Sequence, residues 1–68
     1  MEVQISLAAA RVNADMTQND VAESLHVSNK TVVNWENGTS TPSFSTMKTL
    51  SDMYKIPIDN ILLPTKST

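Results

Sequence analysis

The chain has 68 residues, with five basic and seven acidic side chains for a net charge of −2, one histidine and no cysteine. That length holds one domain with a single small core and modest stability, and the missing cysteines exclude disulfides and thiolate metal sites. No apolar run is long enough to cross a bilayer and no basic-then-apolar leader opens the chain, so a cytoplasmic protein without membrane contact is expected.

Residues 3 to 13 read as a first helix, because Val3, Leu7 and Ala10 fall at helical spacing and the alanines favour helix. Asn13-Ala14-Asp15 marks its end, and Asp15 suits a left-handed conformation there. Thr17 fits the N-cap of a second helix, its hydroxyl accepting from the backbone at Asp20, with the Asp20 carboxylate at the positive end of the helix dipole. Val21, Ala22 and Leu25 form its apolar stripe. His26-Val27 leaves room only for a tight turn. Ser28 fits the cap of a third helix, with Thr31, Val32 and Trp35 facing inward and Asn37-Gly38 as its stop. Gly38 is the one glycine of the chain and is expected where a positive φ is needed.

Thr39 to Pro42 is a short polar loop. Ser43 then caps a fourth helix, whose stripe is Phe44, Met47, Leu50, Met53 and Tyr54. Ile56, before Pro57, is expected to be extended. Ile58, Ile61 and Leu62 fit a short fifth helix, and the polar residues after Pro64 read as a loose tail. Val27 and Val32-Val33 favour strand only weakly among caps and polar helix residues. The expectation is therefore an all-α, compact five-helix domain over residues 1–63, with a polar tail over 64–68 and no strand.

Thr17 to Gly38 is the informative stretch: two helices of about nine residues joined by a turn of about three, which suits a helix-turn-helix. Small Ala22 lets the second of these helices cross closely over the first. That second helix exposes Asn29, Lys30 and Asn34, with Val33 near the rim, and residues 30 and 34 project from one face. Asparagine can pair bidentately with adenine, and lysine can donate to guanine acceptors in the major groove. Taken alone, such a face is what most surface helices carry. The net charge works against nucleic-acid binding, since affinity rests largely on neutralising phosphates. Helix N-termini, hydroxyls, amides and dimerisation would then have to supply it. The chain has no nucleophile–base set, no metal cluster and no glycine-rich loop, so no enzyme, cofactor, metal or small-molecule substrate is expected. Asp15, Asp20 and Glu23 read as a solvated face.

An ordered series without a gap runs through Arg11, Met16-Thr17-Gln18, Val21-Ala22, Leu25, Val27-Ser28, Val32 and Trp35-Glu36-Asn37-Gly38. It continues through Pro42-Ser43, Leu50, Ile56-Pro57-Ile58-Asp59 and Ile61-Leu62. In this series the chain resembles the Cro/phage-repressor (XRE) class of helix-turn-helix proteins, over about residues 3 to 63. The resemblance implies a lambda-repressor-like domain and a sequence-specific transcriptional regulator. Its recognition helix, residues 28–36, would enter the major groove of a palindromic double-stranded operator bound by a homodimer.

Position by position, the resemblance places Thr17 and Gln18 at a phosphate, although Gln18 can equally serve as a cap. It places Ser28, Asn29, Lys30 and Asn34 at bases or neighbouring phosphates, and Asn37 at the backbone just beyond. Thr31 is divided between a phosphate contact and an inward role. Ser40 and Thr41 occupy a loop where relatives often carry Lys or Arg; they bring hydrogen bonds without charge. Arg11 and Glu36 match a partly buried structural ion pair. Ile58, Ile61 and Leu62 are candidates for the dimer surface, or else they close the core. Trp35, Met47 and Met53 read as core. Asp15 and His26 stand where the family commonly has glycine, and His26 reads as a turn residue before it reads as a pH switch. A second use of such a fold is an antitoxin or protein-binding adaptor, which the negative charge favours.

Overall fold

A computed structural model describes residues 4–64. They form four α-helices, a 3₁₀ turn and two very short strands. Helix α1 spans Leu7–Asn13, α2 Gln18–Leu25, α3 Asn29–Asn37 and α4 Phe44–Tyr54. None of them is long and apolar enough to cross a membrane.

Each helix begins on a hydroxyl. Ser6, Thr17, Ser28 and Ser43 are extended, and each side chain accepts a hydrogen bond from the backbone N–H three residues on. At α2 the bond is reciprocal: Thr17 Oγ1 accepts from Asp20 N at 3.0 Å, while Thr17 N donates to Asp20 Oδ2 at 2.9 Å. Helices of two to three turns are marginal alone, and each such cap contributes about 1 kcal/mol. The exits are as regular. Asp15, His26, Gly38 and Lys55 all have φ between 58° and 86°, which turns the chain back toward the core. Gly38 has two reasons to lack a side chain: its φ of 86°, and Pro64, whose Cβ would lie 3.2 Å from an added Cβ.

The core gathers Leu7 and Ala10 of α1, Val21 and Ala22 of α2, and Val32 and Trp35 of α3. Met47, Leu50 and Tyr54 of α4 join them, with Ile61 beyond it. The two alanines sit where helices cross and keep their axes close.

Four expectations need correction. The first helix begins at Leu7, not Val3; Val3 lies outside the described residues, and Ile5–Ser6 is a strand, β1. It pairs in parallel with β2, Ile61–Leu62, in the register Ile5 with Ile61 and Ser6 with Leu62. Two residues are too few to show the alternation that marks a strand. The expected fifth helix is instead the 3₁₀ turn Ile58–Asn60 followed by β2, so the helices number four rather than five. Asn60 N closes the turn onto Pro57 O at 2.9 Å, and the backbone of Ile61–Leu62 then pairs with β1 instead of extending a helix. Finally, Phe44 is 71% exposed rather than inward. As the first residue of α4 its Cα–Cβ bond tilts toward the N-terminus, past the edge of the core.

Burial pushes the Tyr54 phenol up to about 12, with the Glu36 carboxylate adding to the rise and Arg11 opposing it. A raised folded pKa gives stability that is complete below the unfolded value of about 10 and is lost as pH climbs toward the folded one. Denaturant unfolding at stepped pH is therefore expected to show stability falling between about 10 and about 12. Tyr54→Phe should flatten that limb relative to the parent; an unchanged limb would count against the burial argument.

Candidate nucleic-acid interface

The turn between α2 and α3 sets the geometry. His26 takes the left-handed conformation at φ 58°, Val27 N donates to Ala22 O at 3.0 Å, and Val27 packs half-buried against the core. Ser28 then starts α3 in a new direction, its hydroxyl 2.9 Å from Thr31 Oγ1. Val32 and Trp35 anchor the inner side of α3.

The opposite side carries the residues singled out for nucleic acid. Ser28, Asn29, Lys30 and Asn37 are exposed, and Thr31 and Asn34 are half-buried. Asn37 Oδ1 accepts from Thr39 N at 3.0 Å and from the Thr39 hydroxyl at 2.6 Å, which orders the start of the following loop. Ser40 N reaches Asn34 O at 3.3 Å, and both Ser40 and Thr41 stand exposed. At the head of α2, Thr17 is exposed and Gln18 half-buried. The Asp20 carboxylate there is held below its ordinary range, by the bond from the Thr17 backbone first and then its side chain.

Behind this face lies a partly buried polar hub. Arg11 Nε donates to Glu36 Oε2 at 2.7 Å and Arg11 Nη2 to Glu36 Oε1 at 3.3 Å, while Arg11 Nη1 donates to Met16 O at 2.9 Å. The two side chains are only 14% and 8% exposed. The bond to Glu36 raises the Arg11 pKa further, against the opposing effect of burial, so this guanidinium is a fixed charge. Gln18 completes the hub by donating from Nε2 to Glu36 Oε1 at 3.0 Å. Sequence reasoning missed this bond; residues 18 and 36 meet only because α2 and α3 cross, and no local pattern announces it.

The three residues weighed for a dimer surface separate. Ile61 belongs to the core, which removes it from any surface. Ile58 is half-buried and Leu62 is 54% exposed. Among the described residues no group of three or more His, Asp or Glu side chains is placed to hold a metal ion.

The model of the Helix-turn-helix family matches residues 7–61, from the first residue of α1 to the first of β2. A relative, the HTH-type transcriptional activator BcrR of Enterococcus faecalis, is 32% identical over 62 residues. That match takes in 91% of this chain and 30% of the relative, so the chain spans less than a third of that protein's length. No solved structure matches.

The hub makes a direct stability prediction. Glu36→Ala leaves a partly buried guanidinium and the Gln18 amide unpaired and is expected to cost about 1–3 kcal/mol, the scale of unsatisfied polar groups taken out of water. Replacing both charges, as Arg11→Met with Glu36→Leu, should cost less than Glu36→Ala alone. Urea unfolding of the three proteins checks the order, and additive losses would contradict it.

Proposed function

We propose that this chain, which belongs to the XRE-type helix-turn-helix family, binds DNA as a transcription regulator, with residues 28–36 as the recognition segment seated in the major groove of an operator. In this reading Asn29, Lys30 and Asn34 reach base edges, and Thr17, Gln18, Asn37, Ser40 and Thr41 meet the phosphates on either side. The observation that carries it is a helix anchored by Val32 and Trp35 whose Asn29, Lys30 and Asn37 stand exposed and whose Asn34 is half-buried.

One such module contacts too little duplex for tight binding, so two copies on a palindromic site complete the proposal. Leu62 and Ile58 supply the apolar surface nearest to hand for that pairing. Occupancy of the site is the regulatory event, and its sign follows from where the operator lies relative to the promoter. A protein-binding antitoxin or adaptor is the competing use of the fold and draws support from the net charge of −2.

Selection of bound sites from a random duplex library tests the reading. Lys30→Ala is expected to weaken binding to the winning site by about 1–3 kcal/mol and to relax preference at one position. A uniform loss on all sequences would move Lys30 to a phosphate, and no selectivity in the parent would favour the adaptor.

A second measurement concerns charge. Arg11 is consumed by Glu36, which leaves Lys30 as the cation of the α3 face. The slope of log K against log salt should be much shallower than the value of about −10 reached by many-cation binders. A slope that steep would refute the assignment of contacts to hydroxyls and amides.

A further inference from the structure

We propose that Asn37-Gly38 is a self-modification site, at which the Asn37 side chain loses its amide in the folded protein and the carboxylate left behind ends DNA binding. The loss of binding rests on the functional reading above; the modification stands on chemistry within the chain.

Asparagine occurs at positions 13, 19, 29, 34, 37 and 60, and Asn37 alone is followed by glycine. The reaction joins the backbone nitrogen of the next residue to the asparagine side-chain carbon Cγ. A side chain on that next residue crowds the approach, and the other asparagines precede Ala14, Asp20, Lys30, Trp35 and Ile61. Glycine has no Cβ in the way and allows the backbone angles that ring closure needs.

The surroundings of Asn37 favour attack. The residue is exposed, so water reaches it. Its Oδ1 accepts from Thr39 N at 3.0 Å and from Thr39 Oγ1 at 2.6 Å. The first of these bonds closes a ring through the backbone that contains both reacting atoms, Asn37 Cγ and Gly38 N, and keeps them near each other. Attack on Cγ drives charge onto Oδ1, where two donors already stand, as donors stabilise the oxyanion of an acyl transfer. The leaving nitrogen, Nδ2, donates to nothing among the described residues. One constraint sets the pace. Asn37 is the last residue of α3, and its helical backbone must unwind before Gly38 N can line up. Opening of that kind costs little at a helix end.

The atoms balance with water as the co-reactant. Gly38 N gives up its proton and bonds to Asn37 Cγ. The Cγ–Nδ2 bond breaks, Nδ2 takes up a proton and leaves as ammonia, and a cyclic imide remains. Water opens the imide at either carbonyl. One opening gives aspartate; the other gives isoaspartate, with the main chain rerouted through the side chain. Either product puts a carboxylate at the end of α3 in a chain whose net charge is already −2. That carboxylate faces the DNA phosphates as a like charge and sits at the negative end of the helix dipole. Isoaspartate also lengthens the main chain just before Gly38, whose φ of 86° sets the exit from α3. The result is a regulator with a limited working life that needs no partner to switch it off.

The test incubates the full chain without DNA at a series of rising pH values and follows each asparagine by peptide mass spectrometry. Acid is expected to accumulate at Asn37 ahead of the other positions, faster as pH rises, as both aspartate and isoaspartate. Binding to the duplex selected from the random library should fall in step. Asn37→Asp, made directly, should bind that duplex on the order of tenfold more weakly than the parent, the scale of a hydrogen bond lost to a charged group. The deficit should shrink at high salt, which damage to the fold would not produce. Asn37→Gln, whose ring closure is one atom larger and slower, should keep its binding through the same incubation. Gly38→Ala is no substitute, because φ 86° and Pro64 at 3.2 Å strain any side chain there. Far-ultraviolet circular dichroism checks that both variants fold. Acid forming at another asparagine as fast as at Asn37, or at none, overturns the modification. Full binding by Asn37→Asp overturns its consequence while the regulator reading stands. If the parent selects no duplex, that reading and the consequence fall together, and the mass data alone decide the modification.

Discussion

The carboxylate of Glu36 is the point on which the arrangement of the first three helices depends. It lies at the end of α3, accepts two bonds from Arg11 of α1 and one from Gln18 at the head of α2, and is almost wholly buried. Taking two charges out of water costs several kcal/mol per ion, and mutual attraction offsets this only when geometry is good and the remaining polar atoms are satisfied. Both conditions hold here. The contact is close to bidentate, the third guanidinium nitrogen has the Met16 carbonyl, and no buried side-chain nitrogen or oxygen among the described residues lacks a partner. Such a hub adds little net stability over a well-packed apolar cluster. What it adds is direction: an apolar contact tolerates sliding, whereas three hydrogen bonds on one carboxylate admit few relative positions of α1, α2 and α3. If the proposed reading of α3 as the recognition helix holds, direction is the more useful property.

The same logic explains what was legible in the sequence. Helix starts were readable because a capping hydroxyl acts over three residues; Ser28 and Thr31, or Thr17 and Asp20, carry their signal within one turn. Positive φ at Asp15, His26 and Gly38 was readable because few residues tolerate it. Lys55, at φ 58°, escaped notice because lysine has no local chemistry that favours that conformation. The inner stripes of α2 and α3 were readable from period alone. Arg11 and Glu36 were expected as partners from resemblance, and their geometry could not have come from spacing.

What stayed hidden depends on residues far apart in the chain. The β1–β2 pairing joins Ile5 to Ile61, and its two residues per strand hold no periodic pattern. Once that pairing claims the backbone of Ile61–Leu62, the helical reading of the segment after Pro57 fails and Ile61 turns into the core instead of toward a second copy. Phe44 failed for a different reason. Its spacing to Met47 is correct for a shared face, but spacing says nothing about where along its axis a helix meets the core. Gln18 was placed correctly at the head of α2, and only its bond to Glu36 was invisible.

The distribution of charge shows how an acidic chain can serve as a DNA-binding domain. Arg11 is spent within the fold, and the Asp20 carboxylate is engaged in the capping box of α2, where it accepts from the Thr17 backbone N–H. Lys30 is left beside three asparagines on α3. Phosphate attraction is the part of DNA affinity common to all sequences, while amides and apolar contacts in the groove distinguish one base pair from another. A domain that carries few free cations therefore gives up affinity for every duplex alike and keeps the contacts that differ between duplexes. On this argument scarce positive charge lowers affinity for cognate and bulk duplexes by the same factor and leaves their ratio to the contacts in the groove. In the proposed reading that ratio is set by the side chains of α3, and the hub behind it fixes how α3 is held against α1 and α2.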